Sequence, residues 1–199
     1  MPDLVTPALP PGTLSNRPQP TFTADGLTVR PWRASDVDAL VRAYEDPEIQ
    51  RWHVRSMTSA EAAAWITSAE ARWSVESGAQ WAVVDRDDAL LGRVGIRDVD
   101  LADGLTELGY WTVPAARGQG VAPRALTTVV RWMLDDIGFH RIEIEHSTEN
   151  PASCRVAERV GFALEATRRS CALHADGWHD MHVHARVSGR DRRRTPAPR

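Results

Sequence analysis

The segment from Tyr110 to Leu126 holds residues whose types and spacing suit one kind of chemistry, the binding of an anion. An apolar run ends at Val113, the loop Arg117-Gly-Gln-Gly120 follows, and an apolar-periodic stretch begins at Val121. Gly118 and Gly120 let backbone N–H groups converge on a phosphate with no Cβ in the way. A helix start adds unpaired donors and partial positive charge. Arg117 and Arg124 add full charge. Pro123, in the first helical turn, loses no hydrogen bond there. The spacing is Gly-x-Gly without the third glycine of a dinucleotide fingerprint. No Gly-Lys-Ser/Thr follows, so a Walker loop is absent. An ordinary strand-to-helix turn also uses glycine in this way, so the loop by itself does not name a function.

Two other groups could be reactive. His174, His179, His182 and His184 cluster near the C-terminus with Asp176 and Asp180. His182, His184 and Asp180 share one face of a strand by the two-residue period. No standard metal-ligand spacing is met, so a strand lining a cleft is expected and no metal. Cys154 follows Ser153, but a thiol nucleophile needs an activating base beside it. A small apolar packing role is the expectation for Cys154.

Local patterns predict the elements that must position these groups. Leu27 to Pro31 reads as a strand, and Ser35 or Asp36 can cap a helix with Val37, Leu40, Val41 and Tyr44 on one face. Thr58 to Glu61 has capping-box spacing and opens a helix running to about Trp73. Gln80 to Val84 and Leu90 to Val99 read as a hairpin turning at Asp85 to Asp88. Thr106 to Val113 is a strand. Val121 to Ile137 is one helix, stopped by Gly138. Arg141 to His146 is a strand and Pro151 to Val160 a short helix, with two strands filling Phe162 to Val187. The alternation gives one mixed α/β domain.

Residues 1–25, rich in Pro, Thr and small residues, are expected to form a flexible arm. Residues 188–199 are expected to form a disordered basic tail, whose charge run without aromatics is weak evidence for RNA. Between them residues 26–187 form the domain. The net charge of −3 gives no general drive toward nucleic acid. No run of about 18 apolar residues is present, so no membrane span is expected. With only Cys154 and Cys171 for disulfides, reduced thiols and a cytoplasmic protein are expected. Of the eight tryptophans, Trp65, Trp73 and Trp132 fall in helices as packing residues. Trp52 lies in the Arg51 to Arg55 link between the first two helices.

Arg117-Gly-Gln-Gly120-Val-Ala122 resembles the R/Q-x-x-G-x-G/A signature of the GNAT acetyltransferases. Asn150-Pro-Ala-Ser153, followed by Gly161-Phe162, is similar to a segment of the subgroup acting on ribosomal-protein N-termini, the RimJ/RimL type. So are Leu27-Thr-Val-Arg-Pro-Trp32 with Ser35-Asp36, and Gly177-Trp-His-Asp180. The resemblance covers about Gly26 to Val187. It implies a mostly antiparallel mixed sheet of about six to seven strands, with helices on both faces and a splayed central pair. It also implies acetyl transfer from acetyl-CoA, as co-substrate and without a metal, to a primary amine.

On that resemblance the pantetheine arm lies along Glu107 to Val113, with Trp111 and Val113 among its contacts. The pyrophosphate sits on Arg117, Gly118, Gln119, Gly120, Val121 and Ala122. Asn150 orients the pantetheine or the helix start, and Ser153 lies near the sulfur. A base must take the proton of the attacking amine, and the candidates are Glu107, Glu143, Glu145 and His146. The N–H of Val113 or a neighbour would bind the oxyanion. Many members place an acidic Tyr where this chain has Ala157, which puts the acid role in doubt. The acceptor is open between a protein N-terminal α-amine and a small amine such as an antibiotic or polyamine. A non-catalytic acyl-CoA sensor is the alternative of another class. Dimerisation is left open.

Overall fold

The computed structural model describes residues 5–189. Eight strands form one sheet in the order β1-β2-β3-β4-β5-β6-β8-β7. The strands are β1 (Phe22–Ala24), β2 (Leu27–Pro31), β3 (Gly78–Val84), β4 (Leu90–Asp100), β5 (Leu105–Thr112), β6 (Arg141–Ser147), β7 (Ala163–His174) and β8 (Gly177–Val187). The helices are α1 (Val37–Ala43), α2 (Pro47–His53), α3 (Ser59–Ser74), α4 (Val121–Arg131) and α5 (Pro151–Arg159). Every strand pair is antiparallel except β5–β6.

Strand alternation splits the core in two. Ala79, Trp81 and Val83 of β3 join Leu108, Ile142, Ile144 and the α4 residues Val121, Ala125, Leu126 and Val129. Ala82 and Val84 join Trp32, Leu40, Ala62 and Trp111 on the other face, under α1 to α3. The capping box of Thr58 and Glu61 forms as its spacing predicts. Arg30, 2% exposed, explains the Leu27 to Asp36 pattern. Its guanidinium grips the Asp36 carboxylate through two bonds, at 2.8 and 2.9 Å, and donates to Asp88 at 2.8 Å. One buried fork thereby joins β2, the entry to α1 and the β3–β4 turn.

Four expectations need correction. Residues 5–25 are not a loose arm. Leu9 and Leu14 are buried, and β1 pairs with β2, which brings the sheet to eight strands. The Glu76 carboxylate accepts the amides of Gly12 and Leu14 at 2.7 and 2.6 Å. Trp73 and Trp81 donate their indole N–H groups to the carbonyls of Arg17 and Pro20. Secondly, residues 51–53 belong to α2. Asp46 caps that helix by accepting the Ile49 amide at 2.9 Å, and Pro47 occupies its first turn. Thirdly, the helix predicted to Ile137 ends as an α-helix at Arg131 and continues as a π-helical turn, Trp132–Ile137. Trp132, Met133 and Leu134 are all buried, and three consecutive residues cannot share one face of an α-helix. Fourthly, the tail expected from residue 188 begins with an ordered Ser188, whose amide donates to the His140 carbonyl at 2.7 Å. Residues 190–199 lie outside the described residues.

Leu14→Ala should lower stability by about 2–5 kcal/mol, the cost of a core truncation. Urea unfolding measures this; an unchanged midpoint would return the segment to a loose arm.

Candidate active site

The site arises where the sheet comes apart. β5 and β6 are parallel neighbours but pair only at Leu105–Arg141, Thr106–Ile142 and Glu107–Glu143. Both strands run on, to Thr112 and Ser147, without further pairing. On the β4 side the ladder persists to Thr112, and Val113 donates its amide to the Leu91 carbonyl at 2.9 Å. Alternation therefore turns the backbone of Tyr110 and Thr112 away from β4 and into the opening. The Val113 N–H, expected as an oxyanion donor, is already used. The Tyr110 and Thr112 amides face the gap instead.

The opening continues into a cleft of about 470 Å³. Trp111, Arg117, Gly118, Gly120, Val121 and Ala122 line it from β5 and the α4 start, and Asn150 and Ser153 line it from α5. Gly118 and Gly120 take the left-handed conformation, φ +74° and +71°, and the space beside each is open. Left-handed glycines with open space beside them are what a backbone anion cradle requires. Arg117 is ion-paired with Asp46 and also donates to the Thr112 carbonyl. Gln119 lines an adjoining basic hollow with Arg124, Arg131 and Arg159. Val113 is half-buried and packs against both core clusters, so it supports the cleft wall from behind.

Ser153 meets a partner that the motif did not reveal. Its Oγ lies 2.7 Å from Tyr110 Oη, and the phenol also donates to the Ser153 carbonyl at 3.1 Å. Burial raises the Tyr110 phenol to about 12, so it stays protonated. Asn150 fixes the start of α5 by accepting the Ser153 amide at 3.0 Å. Ala157 is fully buried in the core. A phenol from β5 thus lies against α5, whose own position 157 carries none.

The candidate bases divide between the faces. Glu107, Glu143 and Glu145 alternate onto the face away from α4 and α5, while His146 joins Ile142 and Ile144 beneath those helices. Glu107 is ion-paired with Arg97, Glu145 with Arg168 and Glu143 with Arg141. Burial raises the Glu107 carboxyl, and Arg97 partly offsets it. His53, from α2, also lines the cleft, with its ring beside the Tyr110 carbonyl in the opening. Burial first, and then Arg93, push its imidazolium down to about 3, so the ring is neutral. The Asp46-Pro47 cap was the signal that would have found α2, and with it His53. Trp52 lines the same wall, stacked edge-on against His174 and His179, with the Arg51 guanidinium 4.5 Å from its ring centre.

Residues 26–163 match the model of the acetyltransferase (GNAT) domain. The chain belongs to the GNAT acetyltransferase family. It is an acetyl-CoA-dependent N-acetyltransferase; its sequence relatives are named as acetyltransferases. An uncharacterized N-acetyltransferase of Bacillus subtilis, YoaA, is 26% identical over 175 residues, 86% of this chain and 99% of that protein. The ribosomal-protein-serine acetyltransferase of Escherichia coli is 27% identical over 53% of this chain and 59% of its own length. The ribosomal-protein-S5-alanine acetyltransferase of Vibrio fischeri superposes with a TM-score of 0.79, at 17% identity, over 86% of this chain and 98% of its own. That likeness shows the GNAT fold, with its mixed, mostly antiparallel sheet. Among the described residues no helix is long and apolar enough to cross a membrane.

His53 should show no imidazole titration by NMR between pH 8 and pH 5. The unfolded chain takes up this proton near pH 6.5, and the fold refuses it until about pH 3. His53 therefore withdraws stability as pH falls through 6.5. A midpoint near 6.5 in the native protein would show the ring to be solvated.

Proposed function

We propose that this acetyltransferase moves the acetyl group of acetyl-CoA directly onto the N-terminal α-amine of a protein. The observation that carries the proposal is the opening between β5 and β6, which leads straight to the glycine cradle at the start of α4. The cradle of residues 117–122 takes the pyrophosphate, and Arg124, Arg131 and Arg159 beside it suit the nucleotide end. The pantetheine replaces β6 as the partner of β5 and bonds the free edge of Tyr110 and Thr112. One protein of similar structure, a ribosomal L7/L12 α-N-protein acetyltransferase, was solved in complex with coenzyme A.

The attacking amine approaches from the face of Glu107 and Glu145, across the sheet from Ser153. Its nitrogen adds to the thioester carbon, and the C–S bond then breaks. The amine proton passes through water toward Glu107, whose raised pKa suits a base, or toward Glu145. Of the two free amides, that of Tyr110, nearer the point where the strands part, faces the developing oxyanion, and that of Thr112 is left to the pantetheine. The Tyr110 and Ser153 hydroxyls hydrogen-bond the departing sulfur, and the phenol can give it a proton. With a phenol in place, Ala157 no longer argues for a non-catalytic sensor.

The peptide acceptor is supported by the charge of the acceptor face. Glu107, Glu145 and Glu149 are neutralised by Arg97, Arg168 and Arg51, which leaves little free negative charge for a polyamine. The ribosomal-protein acetyltransferases among the relatives point the same way.

Titration calorimetry with Gly120→Glu should show acetyl-CoA affinity reduced at least about a hundredfold, since the carboxylate would stand where the phosphates bind. CoA release by wild type should require an amine and be faster with peptides than with spermidine or aminoglycosides. Release without preference for peptides would overturn the acceptor, and no binding would overturn the cradle. Tyr110→Phe should lower kcat about tenfold or more while leaving acetyl-CoA affinity near wild type. An unchanged kcat would remove Tyr110 from the sulfur's surroundings.

A further inference from the structure

Beneath α5 lie four side chains that the transfer reaction does not use. His146 and His182 stand directly opposite each other across β6 and β8, and His184 follows on the same face of β8. Cys154 comes down from α5, its Sγ 3.6 Å from His184 Nε2. The rings of His146 and His184 stack with centres 5.0 Å apart, and His182 meets them edge-on at 5.4 and 6.0 Å.

The hydrogen bonding of these rings is incomplete. His146 Nδ1 donates to the Ser147 carbonyl at 2.8 Å, which leaves Nε2 as a bare lone pair. That Nε2, His182 Nδ1 and His184 Nδ1 are all buried without a partner. They are three of the four such side-chain atoms found among the described residues. His146 and His184 are 6% and 0% exposed. A buried polar atom left unpaired costs free energy, and two of them on facing rings, His146 Nε2 and His182 Nδ1, need an explanation; His184 turns its other nitrogen, Nε2, toward Cys154. The neighbouring His179 differs, because Ser147 and Asp176 occupy both of its nitrogens.

We propose that His146, Cys154, His182 and His184 bind one zinc ion. One donor atom from each lies within 4.8 Å of all the others. Tetrahedral zinc, with nitrogen at about 2.0 Å and sulfur at about 2.3 Å, needs ligand separations of roughly 3.3–3.7 Å. The Cys154–His184 pair already meets this, and side-chain adjustments of about 1 Å bring in the rest. Three imidazoles and a thiolate, with no carboxylate, select zinc over magnesium, calcium or manganese. The His146 Nδ1–H bond to the Ser147 carbonyl is an outer-shell contact of the kind that orients a metal-bound imidazole. Binding releases the Cys154 thiol proton to solvent as the Zn–S bond forms. Four protein ligands leave no open position, so the site is structural and not a second catalytic centre. It fastens α5, which presents Asn150 and Ser153 to the cleft, onto β6 and β8. The ligands come from three elements, at 146, 154, 182 and 184, so no linear motif announces them.

The test uses the reduced, metal-stripped full chain without a histidine tag and without acetyl-CoA. Co²⁺ should bind at one equivalent, with the intense visible bands of a tetrahedral site and a near-ultraviolet thiolate-to-cobalt band, and Zn²⁺ should displace it. Cys154→Ser should lose the thiolate band, and His182→Gln should weaken Zn²⁺ by more than the 10–100-fold that losing an outer-shell partner costs. Both variants should keep the wild-type circular dichroism. Should either fail to fold, X-ray absorption on zinc-loaded wild type decides, with three nitrogens and one sulfur expected. No stoichiometric uptake, a coordination shell without sulfur, or wild-type affinity in both variants would overturn the proposal.

Discussion

Past Glu107 and Glu143, β5 and β6 no longer share hydrogen bonds, and the rest of the structure is arranged around that break. A sheet that opens in its middle leaves backbone donors and acceptors facing each other across a gap, where each must find another partner. The ring of His53 stands beside one of them, the Tyr110 carbonyl. A bound pantetheine, with amides of its own, is the natural partner for the others. The break also gives access from both faces. On one side it meets α5 with Ser153, and on the other the carboxylates of β5 and β6.

Such an opening survives only if its two walls are held independently. β5 is the last of five consecutive antiparallel strands counted from β1. β6 is held by β8, and β8 by β7. The segment from Leu9 to Pro20 straps the first wall through Glu76, Trp73 and Trp81. The Arg30 fork pins α1 and the β3–β4 turn to β2. Across the gap, Arg51 bridges to Glu149 and Asp176, and so joins α2 to the second wall at the cleft mouth. The cluster around His184 binds α5 to that same wall. Rigid supports on either side make the gap a fixed feature of the fold.

Much of this frame was legible because the signals are local. The apolar periods of α3 and α4, the capping box at Thr58 and the Asp85 to Asp88 turn each depend on residues a few positions apart. β1 and the N-terminal strap were not legible, because the partners that hold them are distant in the chain: Leu101 and Gly138 for Leu9, and Glu76 for Leu14. The wide turn at Trp132 was hidden because it answers to packing against Phe22, Trp73 and Trp81. The exclusion of Val113 as a donor depends on the Leu91 carbonyl, a neighbour that only pairing supplies.

The sequence by itself determined the glycine turn on which the proposed anion cradle rests. A Gly-x-Gly loop between a strand and a helix carries its chemistry in backbone geometry and helix polarity, and both are properties of adjacent residues. It also determined the cap of α5, since Asn150 bonds an amide three residues on. Tertiary structure alone decided what surrounds the reacting atoms. Tyr110 and Ser153 are 43 residues apart, and His53 and Tyr110 are 57 apart. His146, Cys154, His182 and His184 span three elements. A hydroxyl, an imidazole or a thiol acquires its role from a partner within hydrogen-bond reach, and that partner is chosen by how strands pair and helices pack, which spacing along the chain does not encode.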